Sequence, residues 1–176
     1  MSVDQMPGAA HSEPAPFAWF EAGPAPDGWT TMELPDGTAV LSVPPGAAPI
    51  ESDTGSVSAA LTAPDGGLLV YLNATPQQGE ESQANWPAFR LDHLTGENAA
   101  SATRISNRTA MMFGGGTGSC VADRYVTRIG AHEYREMACL VAGSRGGSVL
   151  VVATPAESWD RYTPLLEQVV DSYVAG

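Results

Sequence analysis

Gly118-Ser-Cys-Val-Ala-Asp-Arg-Tyr-Val-Thr-Arg-Ile-Gly130 and His132-Glu-Tyr-Arg-Glu-Met-Ala-Cys-Leu-Val-Ala-Gly143 are neighbouring strand-like runs, and each holds one of the chain's two cysteines. Paired as a hairpin, the runs bring the two sulfurs within bonding reach. Residues opposite each other on antiparallel strands have numbers of constant sum. A sum of 259 sets Cys120 opposite Cys139 and Tyr125 opposite Tyr134, a favourable aromatic pair. It also sets Arg124 against Arg135 and Asp123 against Glu136, two like-charge pairs that cost stability. A sum of 258, with Gly130 left-handed in a three-residue loop, sets Asp123 against Arg135. That slip also sends the two sulfurs to opposite faces of the sheet. Both registers stand at this point. In the first, a Cys120–Cys139 disulfide contributes roughly 3 kcal/mol by loop entropy. In the second, both thiols are buried and reduced.

The segments on either side read as more strands. Trp29–Leu34 and Thr38–Val43 flank Pro35-Asp-Gly37, and Val57–Thr62 and Leu68–Ala74 flank Pro64-Asp-Gly-Gly67. Proline followed by Asp-Gly suits a tight turn. Ala100–Phe113 reads as one or two strands interrupted near Ser106-Asn107, and Gly114–Gly118 as a flexible link. Val149–Ala153 is a strongly apolar strand.

Two helices are expected. The first has Asn85 as cap, Pro87 in its first turn and Gly96 at its end, with Trp86, Phe89, His93 and Leu94 near one face. The second follows a short turn around Glu157–Tyr162. It is capped by Thr163 with Pro164 at the first helical position, and Leu165, Leu166, Val169, Val170 and Tyr173 form its apolar stripe. Two hairpins, a helix, about four antiparallel strands and a helix predict an α+β fold: a three-layer α/β/α sandwich around a mainly antiparallel sheet. The expected division is a Pro/Ala-rich tail over 1–25 and one domain over 26–176. Phe17, Trp19 and Phe20 interrupt the tail. They either dock on the domain or form a partner-binding peptide.

Composition excludes more than it assigns. All eight basic residues are arginines, and all lie after residue 89, where they face nine acids; residues 1–89 hold eleven acids and no cation. The net charge of −12 repels phosphate backbones, so nucleic-acid binding is not expected. The longest apolar run, Ser148–Ala153, is too short to span a membrane. The N-terminus lacks the charged and apolar regions of a signal peptide.

No catalytic motif survives inspection. Ala142-Gly-Ser-Arg-Gly146 resembles a nucleophile elbow, but it lies between two strands where a hairpin turn belongs, so Ser144 is not a nucleophile candidate. Gly114-Gly-Gly-Thr-Gly-Ser119 precedes a strand, not a helix, and does not make a phosphate loop. Asn73-Ala-Thr75 and Asn107-Arg-Thr109 are chance glycosylation tripeptides. His11, His93 and His132 are scattered, which gives no metal cluster. No cofactor is expected. Every Asp and Glu reads as a turn residue or part of a solvated face, and His93 as a satisfied, partly buried histidine.

A family resemblance rests on Ser119-Cys-Val-Ala-Asp-Arg-Tyr125, Tyr134-Arg-Glu-Met-Ala-Cys139, Val149-Leu-Val-Val-Ala153, Trp159 and the terminal Val170-Asp-Ser-Tyr173. The order of these segments resembles the PsbP-like proteins, including the LpqN-type secreted proteins and lipoproteins of actinobacteria. The resemblance implies an α/β/α sandwich and a non-catalytic binding or accessory domain of the cell envelope or exterior, with an unknown protein partner or small ligand. The lipobox cysteine of the lipoprotein type is missing from the start of this chain. A cytoplasmic chaperone or adaptor of the same fold is the alternative, and an enzyme with a site assembled from scattered residues is the third.

Overall fold

The computed structural model describes residues 15–176. His11 and most of the expected tail lie outside the described residues. In chain order the strands are β1 (Thr30–Glu33), β2 (Ala39–Val43), β3 (Ala48–Ile50), β4 (Val57–Thr62) and β5 (Leu68–Pro76). Helix α1 (Trp86–Glu97) comes next, followed by β6 (Ala99–Phe113), β7 (Gly116–Thr127), β8 (Glu133–Gly143) and β9 (Gly146–Pro155). A single 3-10 turn leads into α2 (Trp159–Ser172), and β10 (Val174–Ala175) ends the chain.

Seven strands form one antiparallel sheet in the order β3-β4-β5-β9-β8-β7-β6, and β1, β2 and β10 form a second, three-stranded sheet. From β5 the chain crosses through α1 to the far edge. It then returns as the meander β6–β9 until β9 pairs with β5. Alternation along β7, β8 and β9 sends residues to two faces. Cys120, Ala122, Met137, Cys139, Leu150 and Val152 pack toward α2 and the small sheet, together with Leu41, Val43, Leu166, Val170 and Tyr173. Val121, Ala138, Leu140, Val149 and Val151 face the other way, against Trp86 of α1. The molecule is therefore an α+β sandwich, with the large sheet between α1 on one side and α2 with the small sheet on the other.

The 259 register is the one formed. Cys120 lies opposite Cys139, Tyr125 opposite Tyr134, Asp123 opposite Glu136 and Arg124 opposite Arg135. Thr127 N–H donates to His132 O across the four-residue loop, where Gly130 and Ala131 are both left-handed. The two cysteines are bonded, with their Cα atoms 4.0 Å apart.

Four local expectations change. Gly114–Gly118 is not a flexible link: Gly114-Gly115 turns the chain and β7 begins at Gly116. Gly115 is left-handed, and a Cβ there would press on the Ala175 carbonyl of β10, so the segment is glycine-rich to admit a neighbouring backbone. Helix α2 starts at Trp159, four residues before the expected cap, and Pro164 lies inside it. Thr163 donates its hydroxyl to Trp159 O instead of capping the helix. Helix α1 runs one residue past Gly96. Ala100–Phe113 belongs to one long strand, whose register slips between Arg104 and Ser106 and again between Arg108 and Met111.

Candidate functional site

Helix α1 is shorter than the sheet it covers. It packs mainly over β6, β7 and β8, reaches Val149 and Val151 of β9 through Trp86, and leaves β4 and β5 on that face without a helix. Its placement is fixed at its start. Asn85 Oδ1 accepts from Ser82 N–H at 2.7 Å, and Asn85 Nδ2 donates to Glu80 O at 3.1 Å, so this cap residue organises the preceding turn. Gln83 Nε2 donates to Leu140 O at 3.1 Å, and Ser119 Oγ donates to Gln83 Oε1 at 2.8 Å. Trp86 is buried with its indole N–H on Ala138 O at 2.8 Å, and Phe89 stacks beside it with centroids 6.2 Å apart.

The uncovered face and the helix flank enclose a cleft of about 470 Å³. Its floor is Tyr71, Asn73 and Thr75 of β5 with Val149 and Val151 of β9. One wall is Trp86, Phe89, Arg90, His93 and Glu97; the other is the 51–56 loop with Glu51 and Asp53. The cleft's polar groups divide by what they already bind. Asn73 Nδ2 donates to Val57 O and to Ser58 Oγ. Arg90 is spent on Glu136, as described below. Glu81, at the end of the cleft, is buried and accepts from Gly79 N–H at 2.7 Å. The carboxylates of Glu51 and Asp53 are exposed and accept no hydrogen bond from the described residues, and Glu97 stands 3.6 Å from His93 Nε2. The cleft thus offers free acceptors at Glu51 and Asp53 beside the aromatic rings of Tyr71 and Phe89, while its arginine is committed to Glu136.

Beneath α1 lies a second cluster. Arg90 forms a two-pronged pair with Glu136, Nε to Oε2 at 2.8 Å and Nη2 to Oε1 at 2.9 Å. Glu136 is 1 % exposed, and its cross-strand neighbour Asp123 is 0 % exposed. Burial works against a charged Glu136, but the charge and hydrogen bonds of Arg90 outweigh it and hold that carboxyl below its usual range. Asp123 has no such partner. Burial, with Glu136 adding to it, pushes Asp123 up to about 9, and among the described residues neither of its oxygens has a hydrogen-bond donor. Burial likewise raises the Tyr125 phenol.

The reading of every acid as a turn or surface residue therefore fails at Asp123 and Glu136. One sequence signal pointed to them: the 259 register sets these two acids opposite each other. The second like-charge pair is resolved differently. Arg124 Nε reaches Glu133 Oε2 at 3.1 Å, while Arg135 lies over the Trp159 ring, 4.4 Å from its centroid. His93 is exposed, contrary to expectation, because it sits on the cleft rim and not under the helix. Ser144 is in the β8–β9 turn, where its hydroxyl donates to Gly176 O.

Phe17, Trp19 and Phe20 lie on the α2 side. Phe17 is buried and the other two half-buried against the main core, with Phe20 4.7 Å from Phe113 between centroids. Arg108 Nη1 donates to Phe17 O at 3.0 Å, and Asp171 at the end of α2 receives Glu21 N–H at 3.0 Å. Trp19, Phe17, Arg135, Met137 and Trp159 line a notch of about 170 Å³. Among the described residues, no group of three His, Cys, Asp or Glu side chains is arranged to hold a metal ion, and no helix is long and apolar enough to cross a membrane.

No protein-family model matches the sequence, and neither does any curated protein. Solved structures do resemble the fold. The solution structure of cyanobacterial PsbP (CyanoP) from Synechocystis matches with a TM-score of 0.61 at 9% identity, over 84% of this chain and 92% of that one. A Pseudomonas aeruginosa protein of unknown function, PA94, gives 0.50 at 10% identity over 81% and 94%. LpqN of Mycobacterium tuberculosis, involved in cell envelope biogenesis, gives 0.47 at 11% identity over 84% and 90%. The likeness to the cyanobacterial protein shows a PsbP-like fold and nothing more specific.

Proposed function

We propose that the chain is a non-catalytic binding domain of the cell envelope or exterior, and that the cleft beside α1 holds a small organic cation. The observation that carries this reading is the cleft's chemistry. Free carboxylates at Glu51 and Asp53 line the same cleft as the aromatic rings of Tyr71 and Phe89, Glu97 stands beside His93, and the one arginine is already neutralised. An ammonium group satisfies the free acceptors and is attracted to aromatic faces, whereas an anion is repelled by the carboxylates of Glu51 and Asp53. The extracytoplasmic placement is supported by the Cys120–Cys139 bond, since cytosolic thiols are kept reduced. Comparing the mass of protein from its native source under reducing and non-reducing conditions tests that placement. A reduced pair favours a cytoplasmic adaptor.

Three probes with a common phenylalkyl body and different head-group charge test the cleft: 2-phenylethyl-trimethylammonium, 2-phenylethanol and 3-phenylpropionate. We expect the ammonium alone to shift NMR signals of Tyr71 and Phe89, and Glu51→Gln with Asp53→Asn to weaken its binding. Binding of the propionate but not the ammonium would reverse the ligand class. No shift from any probe would remove the cleft as a site.

A second surface is proposed on the α2 side, where the notch beside Trp19 favours a protein partner over a small ligand. Phe17 and Phe20 hold that segment on the core there, and Trp19 and Trp159 frame the opening.

A further inference from the structure

We propose that helix α1, and with it one wall of the cleft, is held on the sheet by a single buried proton shared between Asp123 and Glu136. The argument begins with a charge count. Two carboxyl groups face each other on adjacent strands, at 0 % and 1 % exposure, and among the described residues Arg90 is the one cation in ion-pair contact with them. With both acids ionised the site holds a net negative charge without water to solvate it, which is among the most costly states a protein interior can hold. Arg90 gives its two side-chain hydrogen bonds to Glu136 and none to Asp123.

The hydrogen bonds identify which acid keeps the proton. Glu136 accepts two charge-assisted bonds and is held ionised by them. Asp123 is a pair of acceptors with no donor among the described residues. A proton on Asp123 converts the misfit into a match: the new O–H donates to Glu136, and the site becomes neutral, one ion pair plus one neutral acid. Two carboxyl groups set side by side in low dielectric share a proton for this reason.

The other groups facing the site do not replace that proton. On β7 and β8 these are the Tyr125 and Tyr134 rings, 5.6 Å apart between centroids, and the Tyr125 phenol is itself held neutral by burial and by Glu136. On α1, His93 is exposed beside Glu97. On β6, Arg104 is opposite Asp123 in register, yet it is exposed and donates to Asn107 Oδ1. Arg128 donates to Ala99 O and Thr95 O at the end of α1. On β9, the partner of Glu136 is Ala153, which carries no charge.

The consequence is a proton-linked seat for α1. An acid whose affinity for its proton is higher folded than unfolded contributes stability at low pH that is lost as pH rises toward its folded value. For Asp123 that loss begins near the ordinary aspartate range and is complete near the raised value of about 9. When the proton leaves, the buried pair carries one charge that Arg90 does not neutralise, and solvating it requires lifting α1, whose Trp86, Phe89 and His93 form the helix wall of the cleft. Alkaline pH should therefore loosen α1 before the remainder of the sheet. The effect on ligand binding rests on the cleft reading above; the proton itself does not.

The experiment uses the full chain with its disulfide intact. Carboxyl carbon NMR on selectively labelled aspartate should find Asp123 protonated at neutral pH and titrating far above the other aspartates. Amide exchange in α1, corrected for intrinsic base catalysis, should rise at least about tenfold between about pH 7.5 and 9.5 in the wild type and stay flat in Asp123→Asn. An ionised Asp123 at neutral pH, or an Asp123→Asn variant with wild-type pH dependence, would overturn the proposal. If that variant does not fold, the wild-type NMR titration decides. The quaternary ammonium probe separates the two readings, since its charge does not change with pH. Binding that weakens as Asp123 titrates supports the link to the cleft; binding that ignores the titration overturns the link. No binding at any pH, with Asp123 titrating high, removes the cleft reading and leaves the proton in place.

Discussion

Arg90 touches both features of the α1 face: its guanidinium closes on Glu136, and its flank lines the cleft. Removing it leaves a fully buried carboxylate with no cation. Arg90→Met is therefore expected to destabilise the fold by about 3–5 kcal/mol at neutral pH, read from the denaturant midpoint. The cost should shrink in acid, where Glu136 can take a proton of its own. Adding Glu136→Gln should restore much of the loss, because the two changes remove a pair and not half of one. Sequence could reveal this cluster only in part. The like-charge pairs at 123/136 and 124/135 were readable from register arithmetic, but the arginine that answers the first lies 46 residues from Glu136, on a helix whose rotation no pattern in the chain prescribed.

Among the elements, the β7–β8 hairpin combines two constraints, the ladder and the sulfur bridge between residues 19 apart. Replacing both cysteines with alanine should cost roughly 3 kcal/mol, since the bridge closes a loop of about 20 residues. The check is a denaturant titration of the wild type with and without reductant, whose difference should match the double variant. Strand pairs were legible because each local turn carried its own chemistry: Asp36 Oδ1 accepts from Thr38 N–H, and Asp65 Oδ1 from Gly67 N–H, in the two Pro-Asp-Gly turns. Helix α2 was misread at its start because Thr163-Pro164 is a favourable cap pair in isolation. Packing outweighed it: Trp159 and Tyr162, upstream of that pair, have places on the core, and the helix extends to fill them at the expense of one backbone hydrogen bond at Pro164.

At the scale of the whole molecule, the order of segments pointed to the layered architecture, because two hairpins, a helix, a meander and a helix leave few ways to cover one sheet. The cleft was not legible. It exists because α1 covers only part of its face, and a partial cover has no sequence signature. Val149 and Val151 alternate like any core strand whether a helix lies over them or not, and Glu51 and Asp53 read as ordinary loop acids. The small sheet was half visible. Its β1–β2 hairpin was expected, but β10 is only Val174-Ala175 and joins β2 from the other end of the chain.

The route of the chain through the large sheet has a kinetic consequence. Strands β6 to β9 pair only with sequence neighbours until β9 meets β5, and the disulfide lies wholly within that meander. The meander can organise through short-range closures, whereas the β5–β9 ladder joins Tyr71 to Ala153 across some eighty residues and should form late. A nick between β5 and α1, in the exposed turn around Gln78–Glu80, would divide the chain at this late step, with no covalent link across it from the disulfide. We expect the two fragments to reassociate on mixing through the β5–β9 edge, with a second-order rate that doubles as either fragment's concentration doubles. Stopped-flow tryptophan fluorescence follows that rate, and a concentration-independent rate would show that the halves meet before the ladder forms.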